Sequence, residues 1–312
     1  VFRKRYFNFF GLINRFYHII KSTFVIRSFI LKNKIDLVYT NTSTIISPTI
    51  AAKLSRTPSL FHVHEIPVSS KLYTRFLVTF FNIFSTKTVA VSNSVRNYWI
   101  DNGLLKEKII TIYNGFNFNF YNEKESSGSG LVFCSISRII PYKGHEFLIE
   151  LFKKISNFRK DFILNFIGDT LPEYESYYLG LKEKVKKYGL TDNIQFLGYK
   201  KNVKDYLKKS NFFIHSPVSP DPLPTVIFEA IESNTPVIFT NLGGAYEILD
   251  SGKNGLAIDH LSIKKSVESI LEFIDNTLEQ EKKIKKAKSF VEKNFQMSSF
   301  NNSLKTLVSK IV

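Results

Sequence analysis

The chain has 312 residues, 44% hydrophobic and 22% charged, with 43 Lys and Arg against 27 Asp and Glu, a formal net charge of +16. The composition excludes wholesale disorder, and the length fits about two domains of roughly 100–200 residues each. A single cysteine, Cys134, excludes an internal disulfide framework and fits a reducing compartment. No apolar run approaches the roughly 20 residues of a membrane span, and the opening residues lack the pattern of a secretory signal.

The charge is uneven. Residues 1–120 carry 16 Lys and Arg against 4 Asp and Glu, a net of +12; residues 121–312 carry 27 against 23. Phe7, Phe9, Phe10, Phe16 and Phe24 are interspersed with Arg3, Lys4, Arg5, Arg15 and Lys21, the composition of a helix lying on an anionic membrane surface. A solvated face without a partner is a second reading. Nucleic acid is a third, but no base-reading motif accompanies it and nucleic acid is not expected as a partner. The first residue is Val1 and the only methionine is Met297, which reads as a processed chain or a fragment.

Short β-branched runs then alternate with longer periodic stretches. Strands are expected at Asp36–Asn41, Ser59–Val63, Thr88–Val91 and Ile109–Tyr113, with helices near 44–54, 71–84 and 93–102. The polar, Gly/Ser-rich residues 122–130 read as a linker. A second series follows, with strands at Leu131–Ser135, Phe162–Ile167, Ile194–Leu197, Phe212–His215, Pro236–Thr240 and Leu256–Ile258. Its helices are expected near 145–156, 174–188, 202–209, 225–233, 262–275 and 280–293. The expectation is an α/β protein: a basic domain over 1–121, a second over 131–293, and a helix over 294–312 packing back on the first. Both domains read as doubly wound, Rossmann-like sheets, whose ligands bind beyond the carboxyl ends of the strands and in the cleft between the domains.

Two segments carry chemistry. Arg138 and Lys143 lie past the end of the strand at 131–135, where a guanidinium fork and a compact ammonium suit a diphosphate; as an isolated pair they also read as loop cations in solvent. The stretch Pro220-Asp221-Pro222-Leu223-Pro224-Thr225-Val226-Ile227-Phe228-Glu229 follows the strand at 212–215. Pro224 suits the first position of a helix whose free amides at Thr225 and Val226 would face an anion. Asp221 and Glu229, eight residues apart, are poor phosphate ligands but good acceptors for sugar hydroxyls. Without further context they also read as a capping Asp and a surface Glu.

Asp221-x7-Glu229 resembles the E-x7-E signature of the retaining glycosyltransferases of family 4 (group 1). Arg138–Gly144 resembles that family's R-x4-K-G element. Gly168-Asp169, Asn193–Gly198, Gly243-Gly244-x-x-Glu247, Val91-Ser92 and Asn114-Gly115 match further landmarks in order, so the likeness spans about residues 35–295. The resemblance implies a GT-B fold. It implies that Arg138, Lys143, Leu223 and Thr225 hold the donor diphosphate, that Glu229 binds the ribose, and that Asp221 contacts the donor sugar. His64 would face the cleft near that sugar, so His64, Asp221 and Glu229 form the expected catalytic group. The departure is Asp221, one methylene shorter than the usual Glu.

His62-x-His64-Glu65 also admits a metal reading, since residues two apart share a strand face, but a zinc site needs about four ligands and the other histidines are scattered. No D-x-D pair occurs, so no metal and no cofactor beyond the nucleotide-sugar itself, UDP- or GDP-linked, is expected. Asn41, Thr42 and Ser43 are weaker candidates for acceptor hydroxyls. The resemblance further implies an upstream strand and Gly-rich loop that the residues before Asp36 lack, so the first domain is expected to be incomplete. The expected function is a retaining, metal-independent hexosyltransferase on the cytoplasmic membrane face, acting on a lipid-linked saccharide in bacterial surface polysaccharide synthesis. The alternatives are a nucleotide-sugar-binding module without catalysis, or another GT-B enzyme such as a sugar-nucleotide epimerase.

Overall fold

The computed structural model describes residues 9–67, 71–121 and 130–312. Arg3, Lys4, Arg5 and Phe7 of the basic stretch, and residues 122–129 of the expected linker, lie outside the described residues. The chain divides into two compact units, Val1–Gly115 with Met297–Val312, and Phe116–Gln296.

In the first unit, helix α1 (Phe9–Lys32) precedes β1 (Val38–Thr40), α2 (Ser47–Leu54), β2 (Ser59–Val63), α3 (Lys71–Phe84), β3 (Lys87–Ala90), α4 (Asn93–Asp101) and β4 (Ile109–Thr111). The strands form one parallel sheet in the order β1-β2-β3-β4. Alternation along β2 divides its side chains between two faces. Leu60 packs with Val89, Ile112 and Leu307, the last on α12 (Met297–Val308). Phe61 packs on Phe81 of α3, which meets Trp99 of α4. Ser92 caps α4 by accepting from the Val95 amide at 3.1 Å, which gives the Val91-Ser92 landmark a structural role.

The second unit runs β5 (Leu131–Ile136), α5 (His145–Ile155), β6 (Phe162–Ile167), α6 (Glu175–Lys187), β7 (Ile194–Phe196), α7 (Val203–Lys208), β8 (Phe212–His215) and α8 (Val226–Glu232). It continues through β9 (Val237–Thr240), α9 (Gly244–Ile248), β10 (Leu256–Ile258), α10 (Ile263–Asp275) and α11 (Thr277–Asn294). All its strands are parallel, in the order β10-β9-β8-β5-β6-β7. Strands β8 and β9 are buried throughout, as expected of a sheet covered by helices on both faces. Phe212 and Ile214 join Phe133, Phe152, Phe166 and Phe273 in the core under α5, α6 and α10. Phe213 and His215 point to the opposite face.

This order places a topological switch between β5 and β8: the chain winds outward to β7, then returns to β8 and winds the other way. The crevice beyond the carboxyl ends of those two strands is where such a sheet leaves room for a ligand. The loops that border it are Ser137–Gly144 and Ser216–Thr225, the two segments singled out from the sequence.

Candidate functional site

The two switch-point loops are bound to each other. The Val218 amide donates to the Tyr142 carbonyl at 3.0 Å. Gly144, at φ +79°, ends the short 3₁₀ turn Pro141–Lys143, and a Cβ there would lie 1.8 Å from the Ser216 carbonyl oxygen. The left-handed conformation and the absent side chain are both required, which accounts for the glycine that follows Lys143. The loop after β9 supports the other side. A Cβ on Gly243 would fall 2.3 Å from the Asp221 carbonyl oxygen and one on Gly244 2.2 Å from that of Pro222; the Gly244 amide donates to the Asp221 carbonyl at 2.8 Å. The paired glycines therefore form a bed on which the Asp221–Leu223 backbone rests.

On this framework Lys143 and Asp221 form an ion pair between Nζ and Oδ2, both largely withdrawn from solvent. His215, the last residue of β8, lies beneath them with Nε2 3.6 Å from Asp221 Oδ2. Burial holds its pKa down to about 4, with the neighbouring Lys143 charge acting in the same direction against Asp221, so the imidazole is neutral near pH 7. Arg138 is exposed at the mouth of the first loop, and its charge acts on the half-buried Tyr142 hydroxyl. Leu223 is buried and Thr225 exposed.

Helix α8 begins at Val226 rather than at Pro224, a correction to the expected start. Thr225 is the helical N-cap residue, and the Ile227 amide donates to the Pro224 carbonyl at 3.2 Å. Pro224 thus contributes its carbonyl to the first tight turn. Among the described residues no backbone carbonyl accepts from the Thr225 or Val226 amides. Glu229 is half-buried on the first turn; burial raises its pKa, the nearby Glu232 adds to this, and Lys204 opposes it. Lys204 itself pairs with Glu232 at 2.7 Å. Behind α8, Phe228 packs on Phe116 and Phe118, with ring centroids 4.3 and 5.7 Å away. The Asn119 amide donates to the Glu232 carboxylate at 2.7 Å.

The other sequence candidates, Asn41, Thr42, Ser43 and His64, belong to the first unit and come together at the carboxyl ends of β1 and β2. His64 Nε2 lies 2.7 Å from Asn41 Oδ1. Glu65, which the sequence raised only as part of a metal reading, ties the group together. Its carboxylate accepts from the Thr42 hydroxyl at 3.0 Å, the Ser43 amide at 3.4 Å and the His64 amide at 3.1 Å. His62 points to the opposite side of the strand register from Phe61 and bonds Tyr39 OH through Nδ1, its pKa lowered to about 3 by burial and by the adjacent His64. Both histidines of the H-x-H pair are thus engaged in hydrogen bonds. Among the described residues no three His, Cys, Asp or Glu side chains converge as a metal site.

Residues 118–290 match the family model of the group 1 glycosyl transferases, and residues 1–120 that of glycosyltransferase family 4. The chain belongs to the group 1 glycosyltransferases. It is 33% identical over 180 residues to the capsular polysaccharide biosynthesis glycosyltransferase CapH of Staphylococcus aureus, covering 55% of this chain and 47% of CapH. It is 30% identical over 204 residues to an uncharacterized glycosyltransferase of Methanocaldococcus jannaschii, covering 65% of this chain and 53% of that protein. The chain thus spans about half the length of these curated relatives. Among solved structures, Anabaena HepE superposes with a TM-score of 0.83 at 23% identity, over 94% of this chain and 82% of HepE; its crystals contain UDP, and in another form UDP-glucose. The architecture of this glycosyltransferase is accordingly GT-B, two parallel-sheet α/β domains.

Proposed function

We propose that the chain is a retaining glycosyltransferase that takes a sugar from a nucleoside-diphosphate donor bound at the β5/β8 switch point. The observation that carries this reading is the grouping of Arg138, Lys143, Asp221, Glu229 and the open amides of Thr225 and Val226 around one crevice end of one sheet. Cations and helix amides there meet the diphosphate, where negative charge develops as the sugar C1–oxygen bond breaks. Glu229 accepts from the ribose hydroxyls and Asp221 from the sugar. The acceptor hydroxyl attacks C1 on the face the diphosphate is leaving, and its proton passes to a departing phosphate oxygen. These roles fall to protein groups rather than to a resident metal. HepE crystals with UDP and UDP-glucose favour a uridine donor, and CapH favours a surface polysaccharide as the product.

In the same reading Asn41, Thr42, Ser43 and His64 contact the sugars, and α1 rests on the anionic inner face of the plasma membrane. What supports the membrane part is an apolar stripe on α1: Ile13, Phe16, Tyr17, Ile20, Phe24 and Leu31 follow helical spacing and are exposed, beside Lys21 and Arg27. Among the described residues no helix is long and apolar enough to cross a membrane.

The test is to incubate the protein with UDP- and GDP-sugars and saccharide or lipid-linked acceptors and to follow the new anomeric proton by NMR. The expected result is release of one nucleoside diphosphate and a product with the donor's anomeric configuration. An inverted product, or donor turnover to a second nucleotide-sugar without acceptor, contradicts it.

A further inference from the structure

The proposed donor site contains a carboxylate that should oppose an anion. Asp221 sits on the cation offered to the diphosphate, and its side chain and that of Lys143 are only 13% and 19% exposed. A nucleoside diphosphate entering the crevice must take Lys143 from Asp221 and then tolerate an adjacent like charge. His215 Nε2 is buried 3.6 Å from the same Asp221 oxygen and has no hydrogen-bond partner among the described residues. In its Nε2–H tautomer it is a donor within a small movement of that carboxylate. The backbone beneath Asp221 rests on Gly243 and Gly244, which keeps the carboxylate within side-chain reach of both Lys143 and His215.

We propose that Asp221 is an exchangeable counter-ion of Lys143: a donor sugar hydroxyl and His215 take over Asp221 when the diphosphate takes Lys143, and the pair re-forms once the sugar has gone. This rests on the donor-site reading above. Its consequence is selectivity for the loaded donor over the spent nucleotide. The nucleotide-sugar supplies a hydroxyl that satisfies Asp221, whereas the nucleoside diphosphate leaves Asp221 competing for Lys143 and is expelled. His215 is a positioning residue here, since it acts through the Asp221 carboxylate.

The test is calorimetric titration of wild type and Asp221→Asn with UDP, GDP, UDP-glucose and GDP-mannose. The proposal predicts that Asp221→Asn binds the nucleoside diphosphate about tenfold more tightly, about 1.4 kcal/mol, and loses most of the preference for the nucleotide-sugar. The gain should vanish in a Lys143→Met background, which a general loosening of the loop would not produce. If Asp221→Asn does not melt cooperatively, Asp221→Ser is read instead. Unchanged or weaker nucleotide binding in the folded variant, with wild type binding normally, overturns the proposal alone. A folded wild type that binds neither nucleotide overturns the donor-site reading and this inference with it.

Discussion

Glu229 shows how a residue proposed for a binding site can be costly to the fold that carries it. Burial raises its pKa above the ordinary carboxylate range, so the folded chain disfavours the charged form. Below the ordinary carboxylate pKa both states are protonated and there is no cost. As pH rises through the raised value the folded state must lose a proton it prefers to keep, and stability falls. Glu229→Gln is therefore expected to raise the melting temperature near pH 7, with the gain disappearing toward pH 4, while nucleotide affinity drops; thermal melts across that range check it. Arg138, Lys143, Asp221 and Glu229 stood out through their resemblance to the group 1 motifs, since on spacing alone they also read as loop cations, a capping Asp and a surface Glu. Lys143 and Asp221, 78 residues apart in the chain, do meet. His215 and Glu65 were not legible as site neighbours. His215 closes a fully apolar run and reads as core, and what Glu65 holds is the loop after a different strand, which no local spacing encodes.

At the level of elements, short helices carried the errors. α8 has seven residues, Val226–Glu232 against an expected 225–233, and Pro224 lies just before it with its carbonyl in the first tight turn. The five-residue α9 went unnamed because so short a segment has no period to read. α1 was legible as helix-compatible, and of the phenylalanines its composition singled out, Phe16 and Phe24 are exposed. Among the described side chains of α1 only Thr23 and Ile30 are buried, while Phe16, Phe24 and Phe29 are each 60% exposed or more. If that face meets anionic lipid, the chain will cosediment with vesicles containing phosphatidylglycerol. The replacement Phe16→Ser with Phe24→Ser will then sharply reduce the bound fraction, and added salt will weaken what remains, at about 1 kcal/mol per basic residue engaged. No cosedimentation at low salt would remove the membrane part of the proposal and leave the donor site untouched.

For the molecule as a whole, the fold class was legible because the alternation of short apolar runs with longer periodic stretches is the pattern of parallel α/β sheets. The doubly wound reading of the second domain is met by β8 returning beside β5 rather than beside β7, although no local stretch specifies that pairing by itself. That return creates the crevice, and parallel sheets covered by helices bury histidines in both units. His62, His145 and His215 have pKa values held down to about 3, 4 and 4, in each case chiefly by burial, against 6.5 for an ordinary histidine. Between those limits the unfolded chain binds more protons than the folded one, so stability decreases as pH falls. Denaturant unfolding is expected to show a loss beginning just below pH 7 and steepening toward pH 4, and His215→Asn should flatten part of it.

The central claim is that a nucleoside diphosphate binds at the β5/β8 switch point with its ribose on Glu229. The most direct measurement is calorimetric titration of the folded chain with UDP and GDP, repeated on Glu229→Ala. The account predicts micromolar binding of one nucleotide and a loss of about tenfold or more in the variant. A chain that melts cooperatively yet binds neither nucleotide, or binds one equally well without Glu229, contradicts it.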